Sequence, residues 1–190
     1  FSQLGRPEVD ILFVIDDSCS MGGEQDALRE NFGAFIRFAE AQALDYHIAV
    51  TGTKDNITEG PFRPDSPASN RIVTPRTQPS PIEVFQQNAD LGATGDGEAT
   101  LGAAYKALTP PLSTGRNAGF LRRDAVLSIV GVTDQFDESS LTPDFYLNFF
   151  RSIKGFRNTQ LFSFSAINGG ESGCPGATAG PDLVNIANLT

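Results

Sequence analysis

Cysteine, histidine, tryptophan and basic residues are all scarce in this sequence of 190 residues. It contains two cysteines, one histidine and no tryptophan. A zinc site of the Cys/His kind would need more ligands than these, and a Ser-His-Asp or Cys-His catalytic apparatus would have only His47 to use. Oxygen donors are plentiful by contrast, with 23 Asp and Glu residues. A bound metal, if there is one, is therefore expected to be a hard cation.

Basic clusters and long apolar runs are also lacking. The 14 Lys and Arg residues against 23 Asp and Glu give a net charge of −9. No basic cluster exceeds Arg122-Arg123, which argues against a nucleic-acid partner because phosphate binding needs a basic patch. The longest mostly apolar run, 125–132, is less than half of the ~20 residues that a membrane-spanning helix needs. We therefore expect a globular chain with no membrane span.

Hydrophobic periodicity predicts strands that alternate with helices. Apolar runs and period-two alternation indicate strands, and apolar positions at helical spacing indicate helices. The predicted strands are 9–15, 46–53, 125–133 and 161–167, with a further short strand at 71–74 inside a 54–81 loop. The predicted helices are 22–43, 81–89, 98–108, 143–153 and a last one from Asp182 onward. This order predicts an α/β, doubly wound fold, in which helices cover both faces of a mostly parallel sheet.

Polar oxygen donors lie on three turns that we expect at one edge of the sheet. Doubly wound folds bind their ligands at this edge, beyond the carboxyl ends of the strands. Asp16, Ser18 and Ser20 follow the first strand, Thr94 lies on a glycine-rich turn, and Asp134 ends the third strand. Together they form an all-oxygen set suited to an octahedral cation. Asp and Ser are also ordinary helix-capping residues, which is the plainer explanation of the first turn. Asp96 is a rival to Thr94, because a Gly-Asp-Gly turn can also bind a cation.

The segments that carry these residues resemble the von Willebrand factor A (VWA) domain. VDILFVIDDSCSM resembles its first strand and DxSxS motif, GAT resembles the loop with its threonine, and VGVTDQFD resembles the strand that ends in its last aspartate. The resemblance implies a metal-ion-dependent adhesion site (MIDAS) for Mg²⁺, or for Ca²⁺ or Mn²⁺. Its five ligands would be Asp16, Ser18, Ser20, Thr94 and Asp134. Asp17, Asp96 and Asp137 would lie near the cation without binding it directly.

The resemblance also bears on domain organisation and location. It implies a single Rossmann-like VWA domain over 1–190. The last edge strand and helix of that fold are not represented, so we expect a domain truncated at its C-terminus or completed by a segment beyond Thr190. GEQDALRENF, DYHIAV and NAGFLRRDAVLSIVGVTDQFDESS resemble VWA domains of secreted or surface bacterial proteins. This implies an extracellular, cell-surface or periplasmic location.

The two cysteines, Cys19 and Cys174, both fall on loops predicted at the same edge of the sheet. We hypothesise that they form a disulfide in an oxidising compartment, which would close a loop of roughly 155 residues. The alternatives are that Cys174 pairs with a cysteine beyond Thr190 or that both thiols are free.

The function implied is cation-dependent binding or adhesion to a protein whose Asp or Glu carboxylate completes the metal coordination. One alternative is a structural domain of a surface fibre or envelope assembly, with the metal holding loops together. Another is a VWA subunit that serves an ATPase or chelatase machine. No enzymatic activity is expected, because the candidate residues include no credible general base or activated nucleophile.

Overall fold

The structure is a computed structural model that describes residues 6–53, 60–64, 70–92 and 97–190. Four strands and five α-helices alternate within the described residues. In chain order they are β1 (Glu8–Ile15), α1 (Gly22–Ala41), β2 (Asp45–Gly52), α2 (Pro81–Asn88), α3 (Thr100–Leu108), β3 (Val126–Val132), α4 (Pro143–Ser152), β4 (Phe162–Ile167) and α5 (Pro181–Asn188). A short 3-10 helix, Thr159–Leu161, precedes β4.

The strands form one sheet in the order β2-β1-β3-β4, and each neighbouring pair is parallel. β1 is central, with Ile11 opposite Ile48 of β2 and Ser128 of β3. Its nearly unbroken apolar sequence reflects this position, because a central parallel strand is covered on both faces. From β1 the chain moves outward to β2 and then crosses back to β3 on the other side of β1, so the topological switch point lies between β1 and β3. The carboxyl ends of these two parallel strands adjoin.

Helices cover the two faces of the sheet unequally. α1 and α2 pack on one face, where Phe32 and Phe85 join Phe13 of β1 in the core. α3, α4 and α5 pack on the opposite face with Leu12 and Val14 of β1. The parallel, doubly wound α/β class predicted from the sequence is confirmed.

Two predictions of secondary structure are wrong, one for a strand and one for the start of a helix. The strand predicted at 71–74 is reduced to one antiparallel bridge, in which Val73 pairs with Ile48. The helix predicted to begin at Glu98 begins at Thr100, so Glu98 lies in the preceding loop. None of the described helices is both long enough and apolar enough to cross a membrane.

Candidate metal site

Asp16 follows β1 directly and joins the ends of the two central strands. Its backbone N–H donates to Val132 O of β3 at 2.8 Å. Its side chain is fully buried, and both carboxylate oxygens accept hydrogen bonds. Oδ1 accepts from Ser18 N at 2.7 Å, and Oδ2 accepts from Thr133 Oγ1 at 2.8 Å. The carboxylate is therefore held in one orientation by groups from both strand ends.

The two serines predicted as ligands lie side by side on the turn after β1. Ser18 is buried and Ser20 is exposed, and their Oγ atoms are 3.2 Å apart. Gln25, near the start of α1, holds this turn in place. Its Nε2 donates to Asp16 O at 2.9 Å and to Gly92 O at 3.2 Å. The turn thus presents two neighbouring hydroxyls beside a fixed carboxylate.

Asp134 lies just beyond β3 and is 6% exposed. Its backbone oxygen accepts from Thr178 N at 2.7 Å, which ties the turn to the loop after β4. Its Oδ1 is buried and has no hydrogen-bond partner among the described residues. A buried polar atom without a hydrogen-bond partner lowers the stability of the fold by about 1–3 kcal/mol. A bound cation would give this oxygen a partner.

Glu98 is the residue at this edge that the sequence analysis did not select. It is 5% exposed, and its side chain adjoins the side chains of Asp16 and Ser18. Burial, the contact with Asp16, and the negative charges of Asp16 and Asp134 raise the pKa of the Glu98 carboxyl to about 9. The expected helix start at residue 98 concealed it. The signal in the sequence was a carboxylate directly after the glycine-rich turn.

The remaining predicted residues have different positions. Thr94 and Asp96 lie outside the described residues. Asp17 is 7% exposed and lies over Gly52 at the end of β2, where an added Cβ would come within 3.2 Å of its carboxyl group. Asp137 belongs to the loop after β3 and packs against the start of α3, where its Oδ1 accepts from Leu101 N at 3.1 Å and from Ser139 Oγ at 2.9 Å. Burial raises the pKa of Asp137 in spite of these bonds.

Cys19 and Cys174 are both free and exposed, so the hypothesised disulfide is not formed in this structure. Cys174 belongs to a loop closed by its own bridge to Ala177. This loop borders an open cavity of about 420 Å³, whose other walls include Met21, Val132 and Asp134. Cys19 is at the exposed tip of the turn after β1.

The donor set fits a hard cation. It offers carboxylate oxygens from Asp16, Glu98 and Asp134 and hydroxyls from Ser18 and Ser20, which are the ligand types that Mg²⁺, Ca²⁺ and Mn²⁺ prefer. Within the described residues, no three His, Cys, Asp or Glu side chains are grouped closely enough to hold a metal on their own. A cation at this edge would therefore depend on the serine hydroxyls as well as on the carboxylates.

No protein-family model and no curated protein matches this sequence. Several solved structures do match. Proximal thread matrix protein 1 (PTMP1) from the mussel byssus has a TM-score of 0.50 at 13% identity, over 96% of this chain and 40% of that chain. A PTMP1 structure with a zinc-occupied MIDAS motif has a TM-score of 0.49 at 14% identity, over 96% and 39%. The SpRpn10 VWA domain has a TM-score of 0.45 at 11% identity, over 97% and 95%.

The chain thus spans about two-fifths of the length of PTMP1, with 40% of that protein covered. At 13% identity the likeness to PTMP1 shows the fold alone. The function has to be inferred from the residues of the site. The four parallel strands, the helices on both faces and this likeness together show that the chain has the VWA-type α/β fold implied by the resemblance of its three segments.

Proposed function

We propose that this chain is a protein-binding module that depends on a divalent cation. Asp16, Ser18, Ser20 and Asp134 would hold the cation, and an open coordination position would accept an Asp or Glu carboxylate of a partner protein. The observation that carries the proposal is the buried Oδ1 of Asp134, unpartnered among the described residues, at the same sheet edge as the paired serine hydroxyls. A buried carboxylate is stable only when it is paired, protonated or bound to a metal.

The exposure of the site supports binding to a macromolecule. Ser20 is exposed beside the buried Ser18, so the cation would lie at the protein surface. Phe136, 51% exposed, lies two residues after Asp134. A charged oxygen on a metal gives a strong, directional contact, and exposed apolar groups around it add contact area.

We propose a binding role and no enzymatic one. His47 lies near the start of β2, where it is register partner to Asp10, and its Nδ1 lies 3.2 Å from Phe120 O. The candidate site is at the other end of the strands, so His47 is far from Ser18 and Ser20. This leaves the serines without a nearby imidazole to activate them.

We further propose that the protein acts outside the cytoplasm, at a cell surface or in a periplasm. The support is the resemblance of GEQDALRENF, DYHIAV and NAGFLRRDAVLSIVGVTDQFDESS to VWA domains of secreted or surface bacterial proteins. A role as a structural domain is the second candidate. It is favoured by the way the site draws together the turn after β1, the loop before α3 and the turn after β3. A cation there would hold these loops together even without a partner.

Titration of the chelator-treated protein with Mn²⁺ tests the proposed cation site. The free ion is followed by its electron paramagnetic resonance signal, and calorimetry repeats the titration with Mg²⁺ and Ca²⁺. We expect saturable binding that Asp134→Ala removes, since this change deletes a ligand. Asp144→Ala, which removes an exposed aspartate of α4, should bind as the wild type does. An Asp134→Ala protein that remains folded and binds the cation normally would contradict the proposal.

Acetate distinguishes the binding role from the structural one. On the Mn²⁺-loaded protein, acetate that enters an open position displaces coordinated water and lowers the relaxation enhancement of the water protons. A binding module should show this change at millimolar acetate, whereas chloride at the same ionic strength should have no effect. Unchanged relaxation would mean that the cation has no open position and that its role is to hold the loops.

A further inference from the structure

We propose that Glu98 is a direct ligand of the cation. This inference rests on the proposed cation site and adds a third carboxylate to it. Among the described residues, the donor set would then consist of Asp16, Ser18, Ser20, Glu98 and Asp134.

The backbone that carries Glu98 is fixed on both sides of the residue. Thr53 Oγ1, just after β2, donates to Gly97 O at 2.7 Å. The N–H of Glu138, in the loop after β3, donates to Glu98 O at 3.0 Å. Glu98 is thus anchored to the ends of two strands, and its side chain enters the site from a set position.

The Glu98 side chain is placed and oriented as a ligand would be. Oε1 accepts from Gln135 Nε2 at 3.2 Å, which fixes the plane of the carboxyl group. Oε2 is buried and has no hydrogen-bond partner among the described residues. The group also lies against the Asp16 and Ser18 side chains. One oxygen is therefore held by the protein and the other is left for a ligand.

The contrast with Asp10 shows that the chain compensates buried carboxylates elsewhere with basic side chains. Asp10 is fully buried and pairs with Arg122 Nε at 2.8 Å and with Lys154 Nζ at 3.0 Å. No ion pair among the described residues includes Asp16, Glu98 or Asp134. Three buried carboxyl groups at one sheet edge without a basic partner must either take up a proton or receive positive charge from outside the chain. A divalent cation supplies that charge.

A third carboxylate changes what the site prefers. With Asp16, Glu98 and Asp134 all ionised, the site and a divalent cation together carry a net charge of −1. The added negative ligand raises affinity for the cation, since ligand charge tunes affinity at oxygen sites. It also makes the cation less attractive to an acidic partner, so Glu98→Gln should weaken cation binding and strengthen acetate binding by the loaded protein.

The test compares Mn²⁺ affinity in wild type, Glu98→Gln and Glu138→Gln. Loss of an outer residue around a metal costs about 10–100-fold in affinity, so loss of the Glu98 ligand should cost at least tenfold. Glu138 is exposed and touches Glu98 through its backbone N–H, so its variant should match the wild type. Cation-induced thermal stabilisation provides a second readout, because binding to the folded state raises the unfolding temperature.

The outcomes separate the two proposals. If wild type and Glu98→Gln bind Mn²⁺ equally, Glu98 is not a ligand and the proposed cation site still stands. If wild type binds no cation, both proposals are wrong. Circular dichroism shows whether Glu98→Gln folds. If it does not, Glu98→Asp takes its place, because it keeps the charge and shortens the reach, and its affinity should also fall by about tenfold.

Discussion

Thr133, the residue before Asp134, fixes the orientation of the Asp16 carboxylate. Its Oγ1 donates to Asp16 Oδ2 at 2.8 Å and accepts from Gln135 N at 3.1 Å, and the residue is 3% exposed. Groups that orient metal ligands contribute about 10–100-fold to metal affinity. Thr133→Val keeps the side-chain shape and deletes the donor. We expect its Mn²⁺ affinity to fall by about tenfold.

Thr133→Ser is the matched variant, because it keeps the hydroxyl and loses only a methyl group. Its Mn²⁺ affinity should stay within about twofold of wild type. Equal losses in the two variants would show that Thr133 acts through packing and not through its hydrogen bond to Asp16.

At the residue scale, the sequence predicts the position of a candidate ligand more reliably when a strand precedes it. Asp16 directly follows β1 and Asp134 lies two residues after β3, so strand periodicity alone places them at one edge. Glu98 follows a glycine-rich turn and precedes a helix, and the helix boundary decides whether it faces the site. That boundary depends on contacts with a loop about 40 residues further along the chain, which local propensity does not encode.

The loop after β3 makes those contacts, and its side chains cap the start of α3. Asp137 Oδ1 accepts from Leu101 N, and Ser139 Oγ accepts from Gly102 N at 2.8 Å. Ser139 Oγ also donates to Asp137 Oδ1 at 2.9 Å. Two of the helix N–H groups that lack partners within α3 are thereby satisfied from outside the helix. The start of α3, and Glu98 just before it, are held against the turn that carries Asp134.

Ser139→Ala should destabilise the fold through this cap. The change removes the acceptor of Gly102 N and the donor to Asp137, and loss of a helix cap costs typically about 1 kcal/mol. Urea unfolding, followed by circular dichroism, measures the difference in free energy of unfolding. Ser140→Ala alters an exposed neighbour and should change the free energy of unfolding by less than about 0.5 kcal/mol. Equal stability of the two variants would contradict the capping role.

The whole molecule separates its stabilising charges from its candidate binding charges. Asp10, Arg122 and Lys154 form a buried network near the amino ends of the strands, where Arg122 also pairs with Asp45 at 2.9 Å. Lys154 Nζ also donates to Arg122 O. The candidate metal site lies at the carboxyl ends, about 20 Å away along β1 at ~3.3 Å per residue. A parallel sheet makes this division possible because all its strands end at the same edge.

This division predicts that Lys154→Met lowers stability without changing cation affinity. Removing one partner of a buried ion pair costs about 3–5 kcal/mol when the other charge is left uncompensated. This range is an upper limit here, because Asp10 would retain Arg122. Urea unfolding should show a loss approaching this range, whereas Arg157→Met, which removes an exposed cation nearby, should show little change. The Mn²⁺ affinity of the folded Lys154→Met protein should equal that of wild type, because screening and distance separate the two charge clusters. A change in Mn²⁺ affinity at conditions where Lys154→Met is fully folded would show that the two ends of the sheet are coupled.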